Sequence, residues 1–458
     1  MIIQEFKTDL SLYEIYDIFK DDHRETMLLN SSVTDENLGQ YSFIGLNLFV
    51  KLQLCKNQVL INGEVQSKDF FDSLRKILNR YKVENETYLP FVCGGIGYLS
   101  YDFGQKCEEI ESGMEEEVDI PSAMFNFYDN IIIFDHKNNK SFISSMEIMS
   151  KGTGSIDEIL KKISESRHIN KNNVSSGHID IDEKFEQKGF HSNFCKKDYI
   201  EAIRKTKNYI REGHVYITNM TQRFVKETYK DGYTIFKELM AVSPAPFSAY
   251  LDFNDFKIIS SSPERFLKID NGKMQTRPIK GTRPRGCNFE EDMFNKEELK
   301  NSEKDKSELL MIVDLERNDL SKVCKKNSVK VTELFEIEEY STVFHLISNV
   351  EGALDSEKDI VHGIEATFPG GSITGAPKIR AMEIIDELEH SKRNIYTGSL
   401  GYISFHDTCD LNIIIRSILL KDNKAYFGVG GGITYESEEE FEYEETLHKA
   451  KAIMKILE

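Results

Sequence analysis

Four cations fall within the nine residues Arg277-Pro278-Ile279-Lys280-Gly281-Thr282-Arg283-Pro284-Arg285, in a chain whose net charge is −19. Proline and glycine punctuate the stretch and fix its backbone, as a pocket wall requires, although a basic surface loop has the same composition. A lysine among other cations can have its pKa lowered enough to serve as a nucleophile or base, and Arg277, Arg283 and Arg285 are expected to do this for Lys280. Upstream, Ser260-Ser261-Ser262-Pro263-Glu264-Arg265-Phe266 places an acid sixteen residues before that lysine, with the hairpin signal Asp270-Asn271-Gly272-Lys273 near the midpoint. An ideal two-residue turn would pair Glu264 with Ile279 and point it away from Lys280. A three-residue loop or a bulge would put acid and amine on one face. That irregularity is expected.

A second chemistry needs carboxylates. Asp305 and Glu308 are spaced i, i+3 on a predicted helix, and so are Glu442 and Glu445 on the last one. Converging acids from two helices make a hard-oxygen site suited to Mg²⁺; an acid-rich helix surface gives the same pattern. Two glycine-rich runs complete the set. Phe368-Pro369-Gly370-Gly371-Ser372-Ile373-Thr374-Gly375-Ala376-Pro377-Lys378 leads into a helix whose first turn could receive an anion on its amides. Gly428-Val429-Gly430-Gly431-Gly432-Ile433 allows close backbone approach. Neither has P-loop or dinucleotide-binding spacing.

The elements that must position these groups are strands with helices laid against them. Residues 1–150 read as short strands with one or two helices. Gly94 to Tyr101 reads as a strand that another backbone approaches closely, and Asn126 to Phe134 as a buried one. Residues 151–192 turn polar and read as a connector carrying a surface helix from Ser155 to Arg167. Residues 193–458 are patterned more densely, with helices predicted from Ile200 to Gly213, Asn295 to Leu310, and Pro377 to Leu388. A last helix is expected near Ser437, which forms a capping-box pattern with Glu440. The class is α+β.

Composition bounds the function. The acidic balance disfavours nucleic acid and membrane surfaces as partners, and an anionic substrate would need a local basic pocket. Met1 to Leu10 carries three charged residues, so no signal peptide is read there, and no uncharged run is long enough to span a bilayer. Seven scattered cysteines without a CxxC pair suit a reducing cytoplasm.

Taken together and in order, these segments resemble the chorismate-binding enzymes: the anthranilate, aminodeoxychorismate, isochorismate and salicylate synthases. The residues that carry the resemblance begin with Ser262 to Phe266, Pro278 to Arg283, Glu308, Met311 to Leu315 and Arg317 to Leu320. They continue with Ser341 to Leu346, Gly370 to Lys378, Tyr396 to Tyr402, Ile415 to Ser417, Gly430 to Ile433 and Glu442 to Thr446. Leu28 to Ser31 and Gly39 to Gly45 resemble the start of the anthranilate and aminodeoxychorismate subgroup. The resemblance implies two interleaved subdomains forming a β-sandwich flanked by helices.

It also implies roles. Lys280 stands where aminodeoxychorismate synthases have lysine and anthranilate synthases usually have alanine. An amine there attacks C2 of chorismate, with Glu264 as acid, before ammonia enters at C4. Glu308 and Glu445 would hold Mg²⁺ with Asp305 and Glu442 behind them through water, Asp305 being shorter than the glutamate common in the family. Tyr396, Arg416, Gly430 and Gly432 would bind the enolpyruvyl carboxylate, His345 would be the pocket histidine, and Gly281, Thr282 and Gly398 would line the substrate site. Ser31 would belong to a tryptophan pocket. No glutaminase segment is recognisable, so ammonia would come from a separate glutamine amidotransferase subunit or from free ammonium. The competing expectations are an anthranilate synthase component I, a water-using isochorismate or salicylate synthase, and a non-catalytic sensor of chorismate or tryptophan.

Overall fold

A computed structural model describes residues 1–21, 25–32, 38–166, 189–340 and 343–458. Most of the expected connector, and Ser341 and Thr342 of the motif before His345, lie outside the described residues. Strand alternation builds the core. In the Tyr41–Cys55 strand, Phe43, Val50, Leu52 and Leu54 enter one hydrophobic core while Ile44 and Leu46 enter another. The Ala123–Asp135 strand does the same with Phe125, Phe127, Ile131 and Ile133 against Ile132.

The larger core lies between sheet faces and also takes Ile258, Phe266, Met274, Leu346, Leu400 and Leu411 from the second half of the chain. The smaller core is closed by the helices Leu12–Phe19, Gly154–Ser166, Gly232–Val242 and Glu439–Leu457. This is the expected α+β arrangement of packed sheets flanked by helices.

The two halves are interleaved. Met27–Asn30 pairs antiparallel with Phe247–Asp252, and Gly94–Leu99 with Ser399–Ser404. The predicted close approach in the second strand is real: a Cβ on Gly97 would stand 2.0 Å from the Met124 carbonyl oxygen.

The connector helix forms as Gly154–Ser166, with Ile156, Ile159 and Ile163 buried on its inner face. Two local expectations change. The helix predicted from Asn295 to Leu310 is two, Phe289–Asn301 and Glu303–Ser321, because Ser302 leaves helical geometry and its hydroxyl accepts from the Asp305 amide at 3.3 Å. The Ser437–Glu440 capping box does not form. Ser437 instead accepts from the Thr434 amide at 3.1 Å and gives its carbonyl to Lys207 at 2.6 Å, and the helix starts at Glu439.

The irregularity expected of the hairpin is present, but not in its loop. Its loop is the two-residue turn, with Asn271 and Gly272 both at positive φ (51° and 73°) and Asp270 opposite Lys273. The irregularity is a bulge in the strand between Arg265 and Lys268, which brings Arg265 opposite Arg277. No helix among the described residues is long and apolar enough to cross a membrane.

Candidate active site

The bulge sets the register that delivers Glu264 and Lys280 to one place. Glu264 follows Pro263 between the strands Phe256–Ser262 and Arg265–Asp270, and its carboxylate is buried, with Oε1 3.5 Å from the Ile279 amide. Lys280 lies on the strand Ile279–Pro284, and its Nζ donates to the Ser372 carbonyl at 3.1 Å. The Ser372 hydroxyl bonds the Glu264 carboxylate, so one residue touches both groups. Ser372 sits in the short 3₁₀ turn Gly371–Ile373. The glycine-rich loop expected to receive an anion on its amides thus presents to Lys280 a carbonyl acceptor.

Burial raises the pKa of Glu264, against the counter-pull of the Ser372 hydrogen bond and of the cations Lys280 and Arg416. An acid kept protonated further toward neutrality is suited to give up a proton. The arginines expected to cluster on Lys280 do not. Arg277 is held by Glu333 and Glu338, Arg283 by Glu298 and by Asp305 at 3.1 Å, and Arg285 by Asp292 at 2.7 Å. Lys280 is instead surrounded by acids, being electrostatically coupled to Glu264, Glu308 and Glu445.

Arg416 shares this pocket. Its backbone has φ 50°, and its carbonyl accepts from the Ser261 amide at 3.1 Å. Among the described residues no carboxylate lies within ion-pair distance of its guanidinium; burial lowers its pKa, and Glu264 pulls the other way. His345 lies opposite Thr282 across two paired strands, with Nδ1 2.8 Å from Thr282 Oγ1. Burial, helped by Arg416, takes the His345 pKa down to about 3, so the ring is neutral at physiological pH.

The glycines divide by purpose. Gly281 holds φ +78°, and a Cβ there would stand 2.8 Å from Asp305 Cγ. A Cβ on Gly432 would lie 3.4 Å from Lys280 Nζ and 3.6 Å from Glu308 Oε2, so this glycine keeps the floor of the site clear. Gly398 and Gly430 serve backbone packing, because a Cβ would meet the Leu99 carbonyl at 2.2 Å and the Met220 carbonyl at 2.4 Å. Tyr396 is buried with its ring against Gly428.

The acids gather at the N-terminal turns of the helices Glu303–Ser321 and Glu439–Leu457, where helix dipoles favour negative charge. Glu308 and Glu442 are both buried, and Lys304 Nζ stands between them, 4.0 Å from one and 3.5 Å from the other. Glu445 Oε1 lies 4.0 Å from where a Gly431 Cβ would be, and is paired with Lys449 at 2.6 Å. Asp305 is turned to Arg283. Among the described residues no three His, Cys, Asp or Glu side chains converge as a ligand set. The donor chemistry nevertheless fits a hard divalent cation, because two buried carboxylates already share a lysine ammonium standing in for positive charge.

Lys304 and Glu316 escaped sequence reasoning, and Ser372 is legible in the sequence only as part of the glycine-rich run. Glu316 had a signal, since it falls two turns after Glu308 on the same helix face as Asp319. It is buried under the glycine-rich loop, where Thr276 Oγ1 donates to it at 2.6 Å. Nearby, Asp319 and Lys378 form a buried pair at 2.6 Å that anchors the loop's exit. Burial raises the Glu316 pKa from 4.5 to about 8. The folded state therefore binds the proton more tightly than the unfolded one. The resulting stabilisation is full below about pH 4.5 and is lost as pH rises through about 8. Glu316→Gln should accordingly melt close to wild type at pH 5 and above it at pH 9. Parallel melting curves across that range would show that Glu316 does not carry the proton.

A separate cavity of about 130 Å³ opens between the two halves of the chain, lined by Leu29, Asn30, Phe43, Phe247, Lys268 and Tyr402 among others. Ser31 is not in its lining; it is buried alongside, donating its amide to Ser42 Oγ at 3.0 Å.

Residues 30–455 match the chorismate binding enzyme family. The chain is 34% identical to anthranilate synthase component 1 of Acetivibrio thermocellus, over all of this chain and 94% of that protein. It is 35% identical to aminodeoxychorismate synthase component 1 of Escherichia coli K12, over 94% of this chain and 93% of that one. The crystal structure of anthranilate synthase component I from Streptococcus pneumoniae TIGR4 superposes with a TM-score of 0.81 at 30% identity, covering 97% of each chain. This chain belongs to the chorismate-binding enzyme family and is a chorismate-utilising enzyme.

Proposed function

We propose that the chain is the aminating component of an aminodeoxychorismate synthase, converting chorismate and ammonia to 4-amino-4-deoxychorismate. The observation that carries this reading is Lys280, a primary amine joined through Ser372 to the buried acid Glu264. In the proposed sequence the neutral amine of Lys280 forms a bond to C2 of chorismate, becoming a secondary ammonium, as both conjugated ring double bonds shift and the C4–O bond breaks. Glu264 gives its proton to the departing hydroxyl, which leaves as water. Ammonia then bonds to C4, both double bonds shift back, and the C2–N bond breaks to release Lys280 as the free amine, while a proton from the new C4 ammonium restores Glu264. The enolpyruvyl group stays intact. Arg416 supplies a fork for its carboxylate, with Tyr396 and the backbone at Gly430 and Gly432 beside it. Neutral His345, held by Thr282, offers a hydrogen bond without adding charge.

The resemblance gives Mg²⁺ to Glu308 and Glu445 with Asp305 and Glu442 behind them; because Lys304 bridges Glu308 and Glu442 while Lys449 holds Glu445 and Arg283 holds Asp305, Glu308 and Glu442 would hold it instead, with Glu445 and Asp305 the further donors. When bound it would supply charge neutralisation at the substrate's ring carboxylate. The designation component 1 carried by the E. coli relative supports a separate glutamine amidotransferase subunit as the source of ammonia. For the cavity beside Ser31 the same reading gives tryptophan as ligand. Its aromatic lining of Phe43, Phe247 and Tyr402 matches an aromatic side chain, while Asp410 at its edge is already held by Arg265 at 2.9 Å.

The second reading is anthranilate synthase component I, favoured by the 34% identity to the Acetivibrio thermocellus enzyme over the whole chain. Incubation with chorismate, Mg²⁺ and ammonium separates the two by product mass. The proposal expects an aminated product that retains the enolpyruvyl group; anthranilate with an equivalent of pyruvate would replace it with the second reading.

A further inference from the structure

Lys304 has no part in the chemistry just proposed, yet it stands at the centre of the acid cluster. It lies in the first turn of the Glu303–Ser321 helix, the end where the helix dipole disfavours a cation. What holds it there is Glu308 one turn along, and Glu442 from the facing helix, at 4.0 and 3.5 Å. Both distances exceed the roughly 2.7–2.9 Å of a close charge-assisted contact. Its side chain is 41% exposed while that of Glu442 is 3% exposed, so the ammonium reaches in from solvent over a buried carboxylate. Lys449 differs, because its Nζ holds Glu445 at 2.6 Å and the Gly430 carbonyl at 2.9 Å. Of these two lysines, only Lys304 can withdraw without breaking a tight bond. Withdrawal with nothing in its place would strand two buried carboxylates, which is costly.

We propose that Lys304 is the resident counter-ion of the Glu308–Glu442 pair, and that a divalent cation reaches these carboxylates by displacing its ammonium. Lys304 then sets metal affinity by competition, and holds the two helix ends together when no metal is bound. The inference rests on the reading of Glu308 and Glu442 as metal ligands. The alternative it opposes is that Lys304 orients the carboxylates for the metal, in which case losing it weakens binding.

The test is calorimetric titration of MgCl₂ into the full chain without chorismate, for wild type, Lys304→Met, Lys304→Arg and Glu308→Gln, with melting temperatures taken in chelator. If the ammonium occupies the site about nine-tenths of the time, removing it should tighten Mg²⁺ binding about tenfold. Lys304→Met should also melt below wild type in chelator, with the gap closing as Mg²⁺ saturates. Lys304→Arg keeps the charge and pairs with both acids more firmly, so it should bind Mg²⁺ more weakly than wild type. Unchanged or weaker binding by Lys304→Met overturns the proposal. Should that variant not fold, binding by Lys304→Arg that equals wild type overturns it instead. The ligand reading is judged apart: wild-type binding lost in Glu308→Gln supports it whatever Lys304 does. Binding that survives in Glu308→Gln, or Mg²⁺ bound by neither wild type nor Lys304→Met, overturns both.

Discussion

Lys280→Ala is expected to lower formation of the 4-amino product by on the order of 10³-fold or more, the scale seen when a covalent nucleophile is lost. The fold should survive. Lys280 is only partly buried, and its one hydrogen bond among the described residues, to the Ser372 carbonyl, is worth about 0.5–1.5 kcal/mol. Gly432 leaves room beneath the lysine, so truncation opens a space that water can enter rather than a dry cavity. Ammonia attack at C2 becomes the remaining route, and its product would be of the anthranilate type. The decisive measurement on wild type is mass spectrometry of the Lys280 peptide after incubation with chorismate and Mg²⁺ without ammonia, where an adduct is expected. Undiminished turnover to the same 4-amino product in Lys280→Ala would remove the nucleophile assignment and return direct amination to the front.

Arg416→Met should move activity and stability in opposite directions. Arg416 is a half-buried cation without a carboxylate at ion-pair distance among the described residues, and the desolvation that disfavours its charge costs folding energy that an arriving anion would recover. Replacing it with a neutral side chain of similar length removes that cost, so the ligand-free melting temperature should stay level or rise. Binding of a substrate carboxylate loses a charged fork, a change of about 2–5 kcal/mol, or roughly 30-fold to several-thousand-fold in KM for chorismate. Methionine is chosen because it is unbranched at Cβ, as arginine is, and so adds no new strain at φ 50°. Steady-state kinetics alongside thermal melts reads both effects. A fall in stability together with an unchanged KM would mean that Arg416 is structural.

What the sequence could reveal of this site followed the range of each interaction. The strand register that unites Glu264 and Lys280 was foreseeable, because alternation makes their meeting impossible without an irregularity. Its location was not, since Asn271-Gly272 satisfies the turn completely and the bulge belongs to the pairing of Arg265 with Arg277 and Asn412. The charge environment was read least well. Four cations in nine residues look like a positive patch until Glu298, Glu333, Glu338 and Asp292 arrive from elsewhere in the chain to pair with the arginines. Local propensity failed in the same way at both caps. Ser302 looks like an interior residue of a helical pattern, and Ser437 looks like a cap, until the contacts with Asp305 and with Thr434 and Lys207 are seen.

The chemistry-bearing segments all fall after residue 197, which invites treating the second half as a transplantable module. The strand pairing argues otherwise. Without the first half, Phe247–Asp252 would lose its neighbour Met27–Asn30, and Ser399–Ser404 would lose Gly94–Leu99. Two rows of backbone donors and acceptors would then lie open at the margins of an apolar sheet, the condition in which polypeptides stick to one another. The early strands act as selvedges that stop the later fabric from unravelling. A shortened version of this enzyme is therefore a problem of solubility before it is one of catalysis.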